Sequence, residues 1–170
     1  MKKGIIFLLN MLIFAQLTGV AMENKIKFDN EIYNLSVNTS NGFNYYPNGE
    51  NSDNWHSKIT IKNLLNKTNP TEVAAEFAHE VQAENPGASV LVYPEAGMVG
   101  YLKSGKDFYE YNTVYFQKSK KGVDQFNYAK RFYDSENNGH EGARKTAINF
   151  AEKNNKKYME LVNKVAPKIL

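Results

Sequence analysis

Residues 107–133 constrain this chain more than any other stretch. Two runs, 107–118 and 123–133, are rich in Tyr, Phe and Val and flank the polar Ser119-Lys120-Lys121-Gly122. β-favouring residues on either side of a short loop with Gly predict a β-hairpin. That hairpin is expected at the centre of an antiparallel sheet. Its odd positions carry Tyr109, Tyr111, Thr113 and Tyr115, and its even positions mix Phe108, Val114 and Phe116 with Glu110 and Asn112. On the second run Phe126, Tyr128 and Phe132 share one face.

The neighbours of this hairpin follow from the same periodicities. Residues 31–37 alternate, with Tyr33, Leu35 and Val37 on one side, and a turn follows over Asn38-Thr39-Ser40-Asn41-Gly42. A short strand over 43–46 leads through a polar loop, 47–53, and Asn54-Trp55 into a strand over 57–62 with Ile59 and Ile61 inward. A helix is then well signposted. Asn69 is its N-cap, Pro70 sits at N1, and Glu72 occupies N3. Val73, Phe77 and Val81, widened by Ala74 and Ala78, form its apolar stripe, and Asn85-Pro86-Gly87 stops it. Strands over 88–93 and 98–103 are joined through Pro94-Glu95-Ala96-Gly97. Val90-Leu91-Val92-Tyr93 is apolar on both faces, which predicts a strand inside a sheet covered on both sides. From His140 to about Val165 a long helix closes the chain, its stripe built from Ala143, Ala147, Phe150, Ala151, Tyr158, Leu161, Val162 and Val165. The element order β-β-β-α-β-β-β-β-α predicts an α+β fold over 31–166, an α/β/α sandwich around a mainly antiparallel sheet, with 22–30 a loose N-terminal segment.

The first 21 residues have the composition of a secretory signal. Lys2 and Lys3 form a basic start, 5–17 an apolar stretch of about 13 residues, and Gly19 and Ala21 the small residues before Met22. Such a run is too short to remain as a spanning helix, so cleavage and a periplasmic or secreted location are expected, with no stable membrane insertion afterwards. The chain has no cysteine, which excludes disulfides, thiolate metal ligands, a Cys nucleophile and lipidation at a signal-peptide Cys. Removing Lys2 and Lys3 lowers the net charge from +3 to +1, so no overall field draws the chain to nucleic acid. The basic tip Lys118-Ser119-Lys120-Lys121 reads as a solvated loop.

Several of these elements resemble one family. An aromatic strand closes on Tyr46-Pro47-Asn48-Gly49-Glu50, and Asn54-Trp55 leads into the strand that contains Lys58 and Lys62. A mid-chain helix with its Asn85-Pro86-Gly87 stop, four antiparallel strands and a long C-terminal helix follow. This pattern, over about 31–164, resembles the Mog1/PsbP-like fold, as found in small exported bacterial proteins and DcrB-like envelope proteins. DcrB-like members are often lipoproteins, and this chain lacks the cysteine that lipidation needs. The resemblance implies an α/β/α sandwich and a non-catalytic binding or accessory role, and it supplies no catalytic residues.

Motifs that carry chemistry are sparse. His79-Glu80 on the first helix would need a second His at position 83 for a zinc helix, and that residue is Ala83. His140-Glu141 opens the last helix, where Glu complements the helix dipole. Ser104-Gly105-Lys106 reads as a turn, and neither a Gly-x-Ser-x-Gly elbow nor a phosphate-binding loop occurs. The residues left for recognition are aromatic: Trp55, Tyr93, Tyr101, Tyr109, Tyr111 and Tyr115. Each is either a core anchor or part of a binding surface. The leading expectation is an exported, non-enzymatic domain, without cofactor or metal, that engages a protein of the bacterial envelope or secretion machinery. The alternatives are a pocket for a small apolar ligand between sheet and helix, and a hydrolase using His56 or His140 with a carboxylate.

Overall fold

The computed structural model describes residues 23–39, 42–85, 87–93 and 95–170. The segment 1–21, expected to be a secretory signal, Met22, Ser40-Asn41, Pro86 and Pro94 lie outside the described residues, as do the side chains of Val37, Asn38, Thr39 and Tyr93. The elements are β1 (Lys25–Phe28), β2 (Glu31–Thr39), β3 (Gly42–Tyr46), β4 (Ser57–Leu64), α1 (Pro70–Glu84), β5 (Ser89–Tyr93), β6 (Ala96–Ser104), β7 (Phe108–Ser119), β8 (Gly122–Tyr133), a 3-10 turn (Asp134–Glu136) and α2 (His140–Ile169). The fold is α+β. All pairs are antiparallel, in one sheet ordered β1-β2-β3-β4-β8-β7-β6-β5. The β7–β8 hairpin is interior to this order, and its register closes at Ser119↔Gly122 around the two-residue loop Lys120-Lys121.

One strand more forms than the sequence reading predicts. The segment 22–30 contains β1, whose Ile26 and Phe28 are buried while Lys25 and Lys27 stay exposed. Four residues of alternation are too short a signal to stand out beside polar neighbours. The turn that follows is legible in retrospect. Asp29 and Asn30 both have positive φ, 47° and 65°, between Phe28 and Glu31, as a two-residue hairpin loop requires. The domain therefore starts near residue 25, not 31.

The two helices lie on opposite faces. Alternate β7 residues show this: Tyr111 and Tyr115 pack with α2, Val114 and Phe116 with α1. On the α2 side the sheet curls. Four strand spacings separate β1 from β8, about 19 Å if flat, yet the rings of Phe28 and Tyr128 are 4.7 Å apart. The curl wraps an aromatic core round α2, in which Tyr128 stacks on Tyr158 at 4.8 Å and 8°. Lys157 and Tyr158 of α2 then hold Asp29, at 2.8 Å and 2.7 Å, which ties the β1–β2 turn to the helix. On the other face α1 is capped as its sequence predicts, Asn69 accepting from the backbone N–H groups of Thr71 and Glu72. Its Ala74 sits against Gly97, where a Cβ would come within 2.2 Å of the alanine methyl.

The strand expected inside the sheet, at Val90–Tyr93, is instead the edge strand β5. Leu91 is 43% and Val92 56% exposed. A continuous apolar run does not distinguish an interior strand from an edge strand that carries apolar residues outward, and here α1 reaches only its first half, at Val90. α2 runs four residues past its expected end, through Pro167, burying Ala166.

Candidate functional site

The structure divides the aromatic candidates into two groups. Trp55 (2% exposed), Tyr111 (1%) and Tyr115 (5%) are core residues with no surface to offer a partner. Trp55 packs with Tyr46 and Ala129. The Arg131 guanidinium lies between the rings of Trp55 and Phe108, 3.8 Å from each centroid, and its Nε donates to Glu110 at 3.1 Å. The Tyr111 hydroxyl donates to Asn155 Oδ1 at 3.0 Å and accepts from Thr113 at 2.7 Å, which satisfies it in the core. Burial pushes its phenol up to about 12. The side chain of Tyr93 lies outside the described residues.

Tyr101 and Tyr109 are half-buried and meet at one cleft. β6 outruns its neighbour: its pairing with β5 ends at Gly100↔Ser89, while β6 continues to Ser104. The uncovered edge 101–104 is flanked by the C-terminal end of α1 and the N-terminal half of α2. Between them is a cleft of about 490 Å³, with Tyr101, Leu102, Tyr109 and Ile148 supplying apolar surface, Lys103 and Arg144 positive charge and Glu84 one negative charge. One edge carbonyl is already satisfied, because Asn85 Nδ2, beyond the end of α1, donates to Leu102 O. Tyr101 is fixed edge-to-face on Phe77 at 5.7 Å, and burial, then nearby Glu110, push its phenol up to about 12.

Ser104, which lines this cleft, is joined by two side chains outside its lining, His140 and Asp134, and of the three only His140 drew notice in the sequence. His140, the first residue of α2, places Nδ1 2.9 Å from Asp134 Oδ2 and Nε2 3.3 Å from Ser104 Oγ. Its ring lies over Tyr109, 4.7 Å between centroids. Glu141, next to His140 in the sequence, pairs with Arg144. Ser104, read as a turn residue, is the last residue of β6. No local spacing links Ser104, Asp134 and His140, so the pattern forms only when the β6–β7 hairpin and the start of α2 come together.

His56 is built differently. Both its nitrogens meet carboxylates, Nδ1 with Glu50 at 3.2 Å and Nε2 with Glu136 at 2.9 Å, and its ring abuts Tyr133. The hydrogen bond to Glu136 raises its pKa most, against the opposing effect of burial. This is a staple between the loop before β4 and the 3-10 turn after β8. Among the described residues, no cluster of His, Cys, Asp and Glu could hold a metal ion. Also among them, no helix is long and apolar enough to cross a membrane.

No curated protein and no solved structure matches the chain. One family model does match, over residues 20–166. That span takes in every strand, α1 and all but the last turn of α2, and the chain belongs to this family.

Proposed function

We propose that this chain is an exported binding domain whose ligand site is the cleft beside the free end of β6. The observation that carries the reading is the cleft itself. Its volume of about 490 Å³ suits a small molecule, and its lining pairs tyrosine rings and aliphatic side chains with two cations, Lys103 and Arg144, against one carboxylate, Glu84. The ligand it fits has an apolar or aromatic body and an acidic group. Export is supported by the basic start, apolar run and small residues at 1–21. A Mog1/PsbP-like relationship is supported by the antiparallel sheet, the mid-chain helix and the long C-terminal helix.

The anionic dye 1-anilinonaphthalene-8-sulfonate has the required chemistry and tests the site. Saturable fluorescence enhancement by the folded protein is expected, lost in Ile148→Arg, which fills the cleft, and weakened in Arg144→Gln. Equal titrations for wild type and Ile148→Arg, with unchanged near-ultraviolet circular dichroism, would refute the reading.

A second reading is favoured by the two sheet edges. β1 carries Lys25 and Lys27 outward, a common protection against strand addition. β5, Ser89-Val90-Leu91-Val92-Tyr93, has no charge and exposes Leu91 and Val92. Such an edge suits an extended segment of an envelope protein added as a ninth strand. A pull-down from envelope extract tests it: recovery lost in Val92→Lys supports it, and equal recovery by both forms counts against it.

A further inference from the structure

We propose that Ser104, His140 and Asp134 form a nucleophile–base–carboxylate relay that hydrolyses small acidic esters in the cleft. This rests on the reading of the cleft as the ligand site and adds chemistry to it. Three separate elements converge to make the relay, each with its own anchor. Ser104 is held by the last pair of the β6–β7 ladder, Ser104↔Tyr109. Asp134 is fixed through its backbone, which donates to Asp107 O at 3.1 Å and accepts from Gly139 N at 2.9 Å. His140 is turned back over Asp134 by two left-handed residues, Asn138 (φ 59°) and Gly139 (φ 88°), and is held by the Tyr109 ring.

The distances assign the protons. The carboxylate 2.9 Å from Nδ1 keeps a proton on that nitrogen, leaving Nε2 to accept from the serine hydroxyl 3.3 Å away. The roles match those of acyl-transfer triads, which are recognised by geometry rather than by order along the chain. His56 shows the contrast: with carboxylates at both nitrogens it has no hydroxyl to activate. Two features of the cleft set the substrate. Arg144, one turn along α2 from His140 and paired with Glu141, and Lys103, on the opposite sheet face from Ser104, bring positive charge to the cleft against the single carboxylate of Glu84 in its lining. The tyrosine and aliphatic lining takes an apolar leaving group.

In the reaction, Ser104 Oγ attacks the ester carbonyl as its proton passes to His140 Nε2. The bond to the leaving oxygen breaks and that oxygen takes the proton, releasing the alcohol. Water then attacks the acyl-serine, gives its proton to Nε2, and Ser104 Oγ leaves with that proton. An acid and an alcohol result, and water is the only co-reactant.

The test uses mono-4-nitrophenyl succinate with the folded, leaderless protein. Nitrophenolate release, a succinyl adduct mapped to Ser104, and loss of both in Ser104→Ala are expected. His140→Gln should lower the rate by about 10²-fold or more, and Asp134→Asn should lower it comparably and move the pH profile. Displacement of the anilinonaphthalene dye by the ester is measured in parallel. Displacement without release above the Ser104→Ala rate would overturn the relay and leave the cleft reading standing. An adduct found only on lysines would overturn the relay as well. Neither displacement nor release would overturn both.

Discussion

Arg131→Met tests the packing that buries Trp55. The guanidinium lies 3.8 Å from the centroids of both Trp55 and Phe108 and donates to Glu110, which is 8% exposed. Removing one partner of a buried ion pair costs about 3–5 kcal/mol, because the other charge stays buried. The Arg131 side chain keeps some solvent contact, 19%, which places the cost at the lower end of that range. Methionine preserves part of the ring packing but loses two cation–π contacts, each worth about 0.5–1 kcal/mol. A net destabilisation of about 3 kcal/mol follows, a large share of the roughly 5–15 kcal/mol typical of a domain. In a domain of this size it lowers Tm by about 6–12 °C. Adding Glu110→Gln should recover about 1–2 kcal/mol, since the stranded charge is gone. Urea unfolding followed by far-ultraviolet circular dichroism and by Trp55 fluorescence, the single Trp, gives both numbers. A loss under about 1 kcal/mol, or a double variant no more stable than Arg131→Met, would refute the assigned role of the pair.

Three further outcomes follow from the same structure. Gly97→Ala should cost about 1–3 kcal/mol in urea unfolding, because the new methyl overlaps Ala74 and pushes α1 off the sheet. His56 has a raised pKa, so its contribution is fully present below the unfolded value near 6.5 and is lost as pH rises through the folded pKa. The stability difference between wild type and His56→Gln should therefore shrink from acid to alkaline pH, by under about 1 kcal/mol because the ring is half-exposed; a difference that grows with pH would contradict this. Val92→Lys should reduce concentration-dependent self-association in sedimentation velocity, by giving β5 the charge that β1 already carries on Lys25 and Lys27.

Legibility in the sequence followed the range of the interactions. The α1 cap at Asn69, the β7–β8 hairpin and the α2 stripe at Ala143, Ala147, Tyr158 and Val162 are local patterns, and the structure reproduces them. Strand β1 and the edge position of β5 depend on what packs against them from elsewhere in the chain. Ile26 and Phe28 are buried because the sheet curls over α2, and Leu91 is exposed because it packs into neither helix-covered core. The same limit governed the aromatic candidates. Strand alternation put Tyr109, Tyr111 and Tyr115 on one face, but only the helix position separates buried Tyr111 and Tyr115 from Tyr109 at the cleft. Ser104 and Asp134 had no sequence signal at all, since they are 30 positions and two strands apart.

The central claim, that the free end of β6 is where a ligand binds, is tested most directly by amide chemical-shift mapping. Titration of ¹⁵N-labelled protein with 1-anilinonaphthalene-8-sulfonate should move Tyr101, Leu102, Lys103 and Tyr109 together with Asn85, Arg144 and Ile148, all of which border the cleft. Shifts centred on β5, or scattered without relation to these residues, would contradict it.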